Sequence, residues 1–224
     1  MLSDAIGAML PAILAVALTP IQLVGVVVVL GRRHASTGGW AFLTGWLAGL
    51  TAVTVAAILL VDQLGESGRT PTPFVHWLQI ALGLVLVWMA VRLYWKHPAH
   101  ETEPQPPKWL AAIGEASHAR ALAVGASMAL GNPKILALVV AAMTSLAYLN
   151  PSVLQIAVVS IVFVLLASAP IIAIVAAHGV GGEKADARIE NLKGFLLRNS
   201  NLIMAIVFAM LGVSILGKGI AGIR

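Results

Sequence analysis

Cysteine is absent from the 224 residues, which excludes a disulfide framework, a thiolate nucleophile and any cysteine-based zinc or iron–sulfur site. Charge is scarce as well. Only 10% of the residues are Asp, Glu, Lys or Arg, where a soluble domain carries about 25%. The 23 charges of this chain cannot coat a globule of this size, so a soluble enzyme with a polar surface is excluded. Disorder requires low hydrophobicity and high charge, and this composition is the reverse. What the chain has in abundance is apolar: 59% AVILMFWYC, with a mean hydropathy of +0.94. The net charge of +5 raises the question of nucleic acid. In a membrane protein, however, Lys and Arg concentrate in cytoplasmic loops, and the basic balance is read as a topology signal with no nucleic-acid partner.

A membrane-spanning helix needs about 20 mostly apolar residues. Uncharged or nearly uncharged stretches give six: residues 6–30, 40–61, 74–94, 121–148, 153–177 and 201–216. Asn150-Pro151, a turn signal, divides the long charge-free run after Lys134 into the end of the fourth span and the fifth. The loops are short, and 1–224 reads as one transmembrane domain. With no basic n-region and Asp4 near the start, a cleaved signal peptide is not expected. Ten basic residues fall in the loops after spans one, three and five: Arg32 and Arg33; Arg92, Lys96, Lys108 and Arg120; Lys184, Arg188, Lys193 and Arg198. Three, Arg69, Lys218 and Arg224, fall on the other side. The bias places both termini outside a multi-pass cell membrane. Trp40, Trp77, Tyr94, Trp95 and Tyr148 mark span ends as an aromatic belt would. Trp109, Leu110 and Ile113, and then Ile189, Leu192, Phe195 and Leu196, form apolar stripes in two cytoplasmic loops. They read as interfacial helices before they read as docking sites for a partner.

Two proline-centred motifs stand at matching places. Span one contains Ala17-Leu18-Thr19-Pro20-Ile21-Gln22, and span four contains Leu130-Gly131-Asn132-Pro133-Lys134. The prolines are 113 positions apart, close to half the chain. Leu82-Gly83-Leu84-Val85 in span three has a weaker echo in Leu211-Gly212-Val213-Ser214 of span six. The expectation is an all-α integral membrane protein of six helices, built as two three-helix repeats, 1–112 and 113–224. Because three is odd, the second repeat enters the bilayer inverted. Proline breaks a helix interior but is favoured at a first helical position, and Thr and Asn are N-cap residues. Thr19-Pro20-Ile21-Gln22 therefore reads as a capping box, and Asn132-Pro133-Lys134 as a cap followed by a cation. Helices 1 and 4 are expected to stop and restart in mid-membrane, each new half presenting free N–H groups and a positive dipole end. Broken backbone at that depth must be buried in protein or line a wet cavity.

The candidate anion site comprises Thr19, Pro20, Gln22, Asn132, Pro133 and Lys134. A lysine at a helix centre costs about 2.5–3.5 kcal/mol on insertion scales and should face an interior cavity. The competing interpretation makes both prolines kinks in packed helices, with Lys134 snorkelling or bonded to freed carbonyls. Two prolines at equivalent places, each with a cap, favour the binding interpretation. No Asp or Glu lies inside a span, so neither an acidic proton relay nor a carboxylate metal site is expected. His97 and His100 could hold a metal only weakly, His178 reads as an interface residue, and Ser117-His118 is no triad. Neither a metal nor a cofactor is expected, and no catalytic set is recognisable. Gly45 and Gly49 form a GxxxG pattern that lets a neighbouring helix approach, within the chain or in a homodimer, with internal packing the simpler expectation. Thr44, Thr51 and Thr54 are expected to bond back to their own helix.

Ala17-Leu18-Thr19-Pro20 and Gly131-Asn132-Pro133-Lys134 resemble the paired motifs of the lysine exporter superfamily. GWAFLTGWLAGL over Gly39–Leu50, PKWL over Pro107–Leu110, and the tail Leu197–Gly219 are similar to the peptidoglycolipid-addressing branch, which includes the sulfolipid-addressing proteins of actinobacteria. The resemblance covers nearly the whole chain. It implies a six-span bacterial inner-membrane protein linked to export or surface delivery of a glycolipid, beside a larger lipid transporter. Its motif positions here are Pro20, Asn132, Pro133 and Lys134. Amino-acid or small-solute export, as elsewhere in the superfamily, and a non-transporting scaffold for a lipid exporter are the alternatives.

Overall fold

The computed structural model describes residues 2–30, 35–65, 73–95, 117–147, 149, 151–181, 191–192, 194–195 and 198–222. These form eight long helices and, among the described residues, no strand. They are α1 (Leu2–Ala17), α2 (Pro20–Leu30), α3 (Ala35–Gly65), α4 (Pro73–Trp95), α5 (His118–Leu130), α6 (Pro133–Ala147), α7 (Val153–Gly181) and α8 (Ser200–Ala221). Each expected span coincides with a helix or with a broken pair. Three helices are long and apolar enough to cross a membrane: Thr37–Asp62 in α3, Val153–Gly181, which is α7, and Asn201–Ala221 in α8. If each broken pair is one span the number rises to five, and Gly83–Trp95 in α4 is a shorter apolar stretch.

The breaks fall where the prolines predict. α1 and α2 meet at 48°, and α5 and α6 at 59°. Proline alone does not dictate this, since Pro11 and Pro170 sit inside the continuous helices α1 and α7. The two breaking prolines differ in following Thr19 and Asn132, small polar residues whose side chains bond to nearby backbone.

Packing in an apolar solvent depends on close approach, because lipid is as apolar as leucine. Glycine provides it here. A Cβ on Gly45 would strike the backbone of Leu122, one on Gly49 would lie 2.8 Å from the Ala126 carbonyl oxygen, and one on Gly125 would lie 2.8 Å from the Trp46 nitrogen. The contacts advance together along both chains, so α3 and α5 run parallel with their backbones touching. The GxxxG pair thus packs internally. α4 and α8 cross the other way. A Cβ on Gly83 would sit 2.9 Å from the Gly212 carbonyl oxygen and 2.6 Å from Leu216 Cγ. One on Gly212 would sit 3.0 Å from the Gly83 carbonyl oxygen and 2.7 Å from Val87 Cγ2. The contact is reciprocal, each glycine meeting the other and the residue four beyond it, which requires antiparallel helices.

The broken helices pair crosswise. α1 packs on α6, and α2 approaches α5, where Gly25 faces Met128. The core lies among α1, α2, α3, α6 and α7, with Val26, Phe42, Trp46, Ile135, Phe163 and Ile171 buried. Trp46 is fully enclosed, and its indole N–H donates to Ser168 Oγ at 2.9 Å, tying α3 to α7. Trp40, Trp77, Tyr94 and Trp95 are exposed near helix ends, as an aromatic belt requires. His178, expected at an interface, is buried in the last turn of α7. Leu192 and Phe195 are exposed. The stripe at Trp109–Ile113, Ile189 and Leu196 of the second stripe, Tyr148, and His97 with His100 lie outside the described residues.

Candidate functional site

The first break is sealed by its own side chains. In an unbroken helix the N–H of residue 20 would bond the Val16 carbonyl, and proline has none. The Val16 oxygen instead accepts the Thr19 N–H at 3.2 Å and the Gln22 Nε2 amide. The Ala15 oxygen accepts the Thr19 hydroxyl at 2.7 Å. Thr19 and Gln22 are 3% and 0% exposed, and Pro20 is buried. This corrects the expected capping box. Both side chains reach backward to the carbonyls that end α1, and neither caps the amides that begin α2. The physical reason is that orphaned carbonyls without water are costly, and these two donors are the nearest. Gln22 Oε1 is left buried with no hydrogen-bond partner. Such groups are rare in folded proteins, and each costs about 1–3 kcal/mol.

The second break is built as the sequence suggests, and it is open. Asn132 Oδ1 accepts the Lys134 N–H at 3.1 Å, and the Asn132 carbonyl accepts the Leu136 N–H at 3.0 Å, so Asn132 is a working N-cap. Gly131 closes α5 with its N–H bonded to the Ser127 carbonyl at 2.7 Å. Pro133 is exposed, while Asn132 and Lys134 are half-buried. Because Pro133 has no N–H and Asn132 occupies that of Lys134, little of the first-turn amide array is left to hold an anion. The ammonium carries the electrostatics.

Lys134 turns toward α8. Its Nζ lies 3.0 Å from Met204 Sδ and 4.9 Å above the centre of the Phe208 ring, both on α8. A thioether is a weak acceptor and a ring face attracts a cation by its quadrupole, so both partners are neutral. Met204 and Phe208 escape sequence reading because they look like ordinary lipid-facing residues. Their spacing of four, one helical turn, is the only signal they leave.

Of the six candidate residues, the structure groups Thr19, Pro20 and Gln22 in one buried cluster and Asn132, Pro133 and Lys134 in a second, partly exposed one. The hydrogen bonds of Thr19 and Gln22 stay within their own broken helix, and Lys134 turns to α8.

A groove opens between α3 and α7, with a volume of about 430 Å³ and a largely apolar lining that includes Leu47, Thr51, Ile58, Ala157 and Ser160. No local sequence motif marks it. Thr54, also lining it, donates its hydroxyl to the Leu50 carbonyl at 2.8 Å, and Thr44 does the same to Trp40, as expected of helical threonines.

Among known proteins, the family described as Sap, sulfolipid-1-addressing protein, matches residues 9–221 of the chain. No curated protein and no solved structure matches it.

Proposed function

The chain belongs to the sulfolipid-1-addressing protein family, and from that premise we propose that it is a membrane transporter or flippase-like protein exporting an anionic glycolipid or related amphipathic molecule. The observation that carries the proposal is Lys134. It is a half-buried cation at the restart of a broken helix, held by two neutral partners in a chain whose acidic residues lie no deeper than the span edges, at Asp4 and Asp62. A buried charge is retained where a counter-charge arrives. Here the incoming partner is the sulfate, phosphate or carboxylate of a head group. Asn132 and Pro133 expose the break to it. Thr19, Pro20 and Gln22 keep the opposite break intact as a joint.

Two features support a lipid over a small solute. The α3–α7 groove is largely apolar along its length, a lining that suits tails better than a polar solute. No acidic relay is needed to turn a lipid over. The crosswise pairing of α1 with α6 and α2 with α5, and the reciprocal Gly83–Gly212 crossing, support two inverted three-helix repeats. The parallel run of α3 and α5 supports a recrossing of the chain between them. α4, with 23 residues and about 35 Å of helix, is long enough for that crossing, which supports a sixth span. The halves rock about the pseudo-two-fold axis to alternate access. We place the chain in a bacterial inner membrane with both termini outside, on the distribution of Lys and Arg.

Purified wild type and Lys134→Ala are compared by native mass spectrometry with lipidomics. Loss of a specific anionic lipid in the variant supports the proposal. An unchanged lipid profile with a bound amino acid in its place overturns it. The exposed Leu192 and Phe195 favour a second reading, a scaffold that recruits a larger lipid exporter. In that case Lys134→Ala leaves lipid delivery intact, while charge reversal at Arg188 or Lys193 abolishes it.

A further inference from the structure

We propose that the break between α1 and α2 binds a small monovalent cation of the sodium class, with Gln22 Oε1 and the Thr19 hydroxyl oxygen as side-chain ligands beside the carbonyls that end α1. Acceptors outnumber donors at this point. Pro20 brings no N–H, and three donor groups remain: the Thr19 N–H, the Thr19 hydroxyl and the Gln22 amide. All three point to the carbonyls of Ala15 and Val16. Gln22 Oε1 is left without a hydrogen-bond partner, on a side chain that is 0% exposed. The Thr19 hydroxyl has given its one proton to Ala15, so its oxygen keeps lone pairs for a ligand. Turning the Gln22 amide over relieves nothing, because its oxygen would then meet the Val16 oxygen.

A buried excess of oxygen is relieved by a donor or by a cation, and the local field favours the cation. The C-terminal end of α1 carries the negative end of its dipole, roughly half an elementary charge. Thr19 and Gln22 both reach back to that end, away from the first amides of α2. Each backbone carbonyl has two lone pairs and can serve a donor and a cation together. Half-helix C-terminal ends and unwound carbonyls are where transporters built on broken helices hold sodium.

The ligand set fixes the charge and size of the ion. Every oxygen is neutral. Calcium draws on carboxylates, and transition metals on imidazole or thiolate. Among the described residues no group of three or more His, Asp or Glu is placed to hold a metal. The closed packing around Thr19 and Gln22 excludes an organic cation. Leu18 and Ile21, on either side of Thr19-Pro20, are exposed, so the break lies at the edge of the bundle, where a change in the α1–α2 angle opens it. The site supplies a coupling ion to a chain whose acidic residues reach no deeper than Asp4 and Asp62. It is distinct from the Lys134 site and takes charge of the opposite sign.

The test equilibrates full-length protein in phosphatidylcholine nanodiscs with radioactive sodium in a choline chloride buffer. Binding is expected to saturate at one ion per chain in the millimolar range and to withstand an equal concentration of calcium. Gln22→Leu should abolish it. Thr19→Val should weaken it about tenfold or more, and Thr19→Ser, which keeps the hydroxyl, should bind as wild type does. Thr44→Val removes a hydroxyl bonded within its own helix and is the control for a folded protein with sodium binding intact. Non-saturable sodium in the wild type overturns the proposal and leaves Gln22 Oε1 to a water molecule. Saturable binding that survives Gln22→Leu, or that calcium displaces, overturns it as well. Where Gln22→Leu does not fold, equal binding by Thr19→Val and Thr19→Ser overturns the ligand assignment. The measurement counts ions and needs no anionic lipid, so its failure leaves the Lys134 reading standing, and loss of that reading leaves the ion site standing.

Discussion

The ammonium of Lys134, at the start of α6, lies 3.0 Å from the thioether sulfur of Met204 on α8. A strongly hydrated cation is thus held across two helices by one of the weakest acceptors a protein has. The arrangement keeps the charge inside the protein while leaving it easy to take over. An oxyanion that reaches Lys134 displaces sulfur and ring, not a carboxylate.

Lys134→Met separates charge from packing. The thioether side chain has similar length and no desolvation cost, so thermal stability should hold or rise. Retention of an anionic lipid should fall about tenfold or more, the worth of a hydrogen bond to a charged group. Retention unchanged in lipid mass spectrometry would remove the cation from the site.

Phe208→Leu removes the ring face under the ammonium, a contact worth about 0.5–2 kcal/mol. The protein should lose roughly that much stability. Anionic lipid should bind a few-fold more tightly, because less must be displaced. Weaker binding in a titration would mean that Phe208 belongs to the ligand site itself.

Pro20→Ala returns an N–H opposite the Val16 carbonyl, in competition with Thr19 and the Gln22 amide. Stability should rise, by as much as about 3 kcal/mol, as α1 and α2 straighten. Export should fall if the break is a joint. A variant that is both more stable and equally active in a lipid-delivery assay would make the first break a passive kink.

Gly83→Ala and Gly212→Ala each insert a methyl group into the same crossing, and each should cost about 1–3 kcal/mol. Once one has forced α4 and α8 apart, the other has less to disturb. The double variant should therefore fall short of the summed single costs in a denaturation series. Full additivity would show that the two glycines act in separate contacts.

Topology is open to direct measurement, because a chain without cysteine has no background thiol. Single cysteines at Ser3 and Ser152 should react with an impermeant maleimide from outside intact cells, and cysteines at Ser117 and Ser200 only after permeabilisation. Labelling of Ser3 and Ser117 from one side would break the inverted arrangement.

Much of this was legible in the residues. Apolar runs located the helices to within a few positions, since a spanning segment must satisfy its backbone internally and avoid charge. Thr19-Pro20 and Asn132-Pro133 marked the breaks, because proline lacks the N–H that would carry the helix through. Asn132 caps as read. Thr19 and Gln22 do not, and the motif alone could not say so: Thr-Pro-Ile-Gln serves equally to begin one helix or to mend the end of the one before. Local sequence contains both options, and burial of the break chose the second.

Composition and periodicity determined the solvent, the helices and the places where they stop, because those follow from single residues meeting a bilayer. Which way Lys134 turns, which glycines touch, and whether a groove remains between α3 and α7 are properties of pairs far apart in the chain. Met204 is 70 positions from Lys134, and Gly212 is 129 from Gly83. No local pattern encodes such partners, since in an apolar medium one aliphatic face is much like another until packing selects among them.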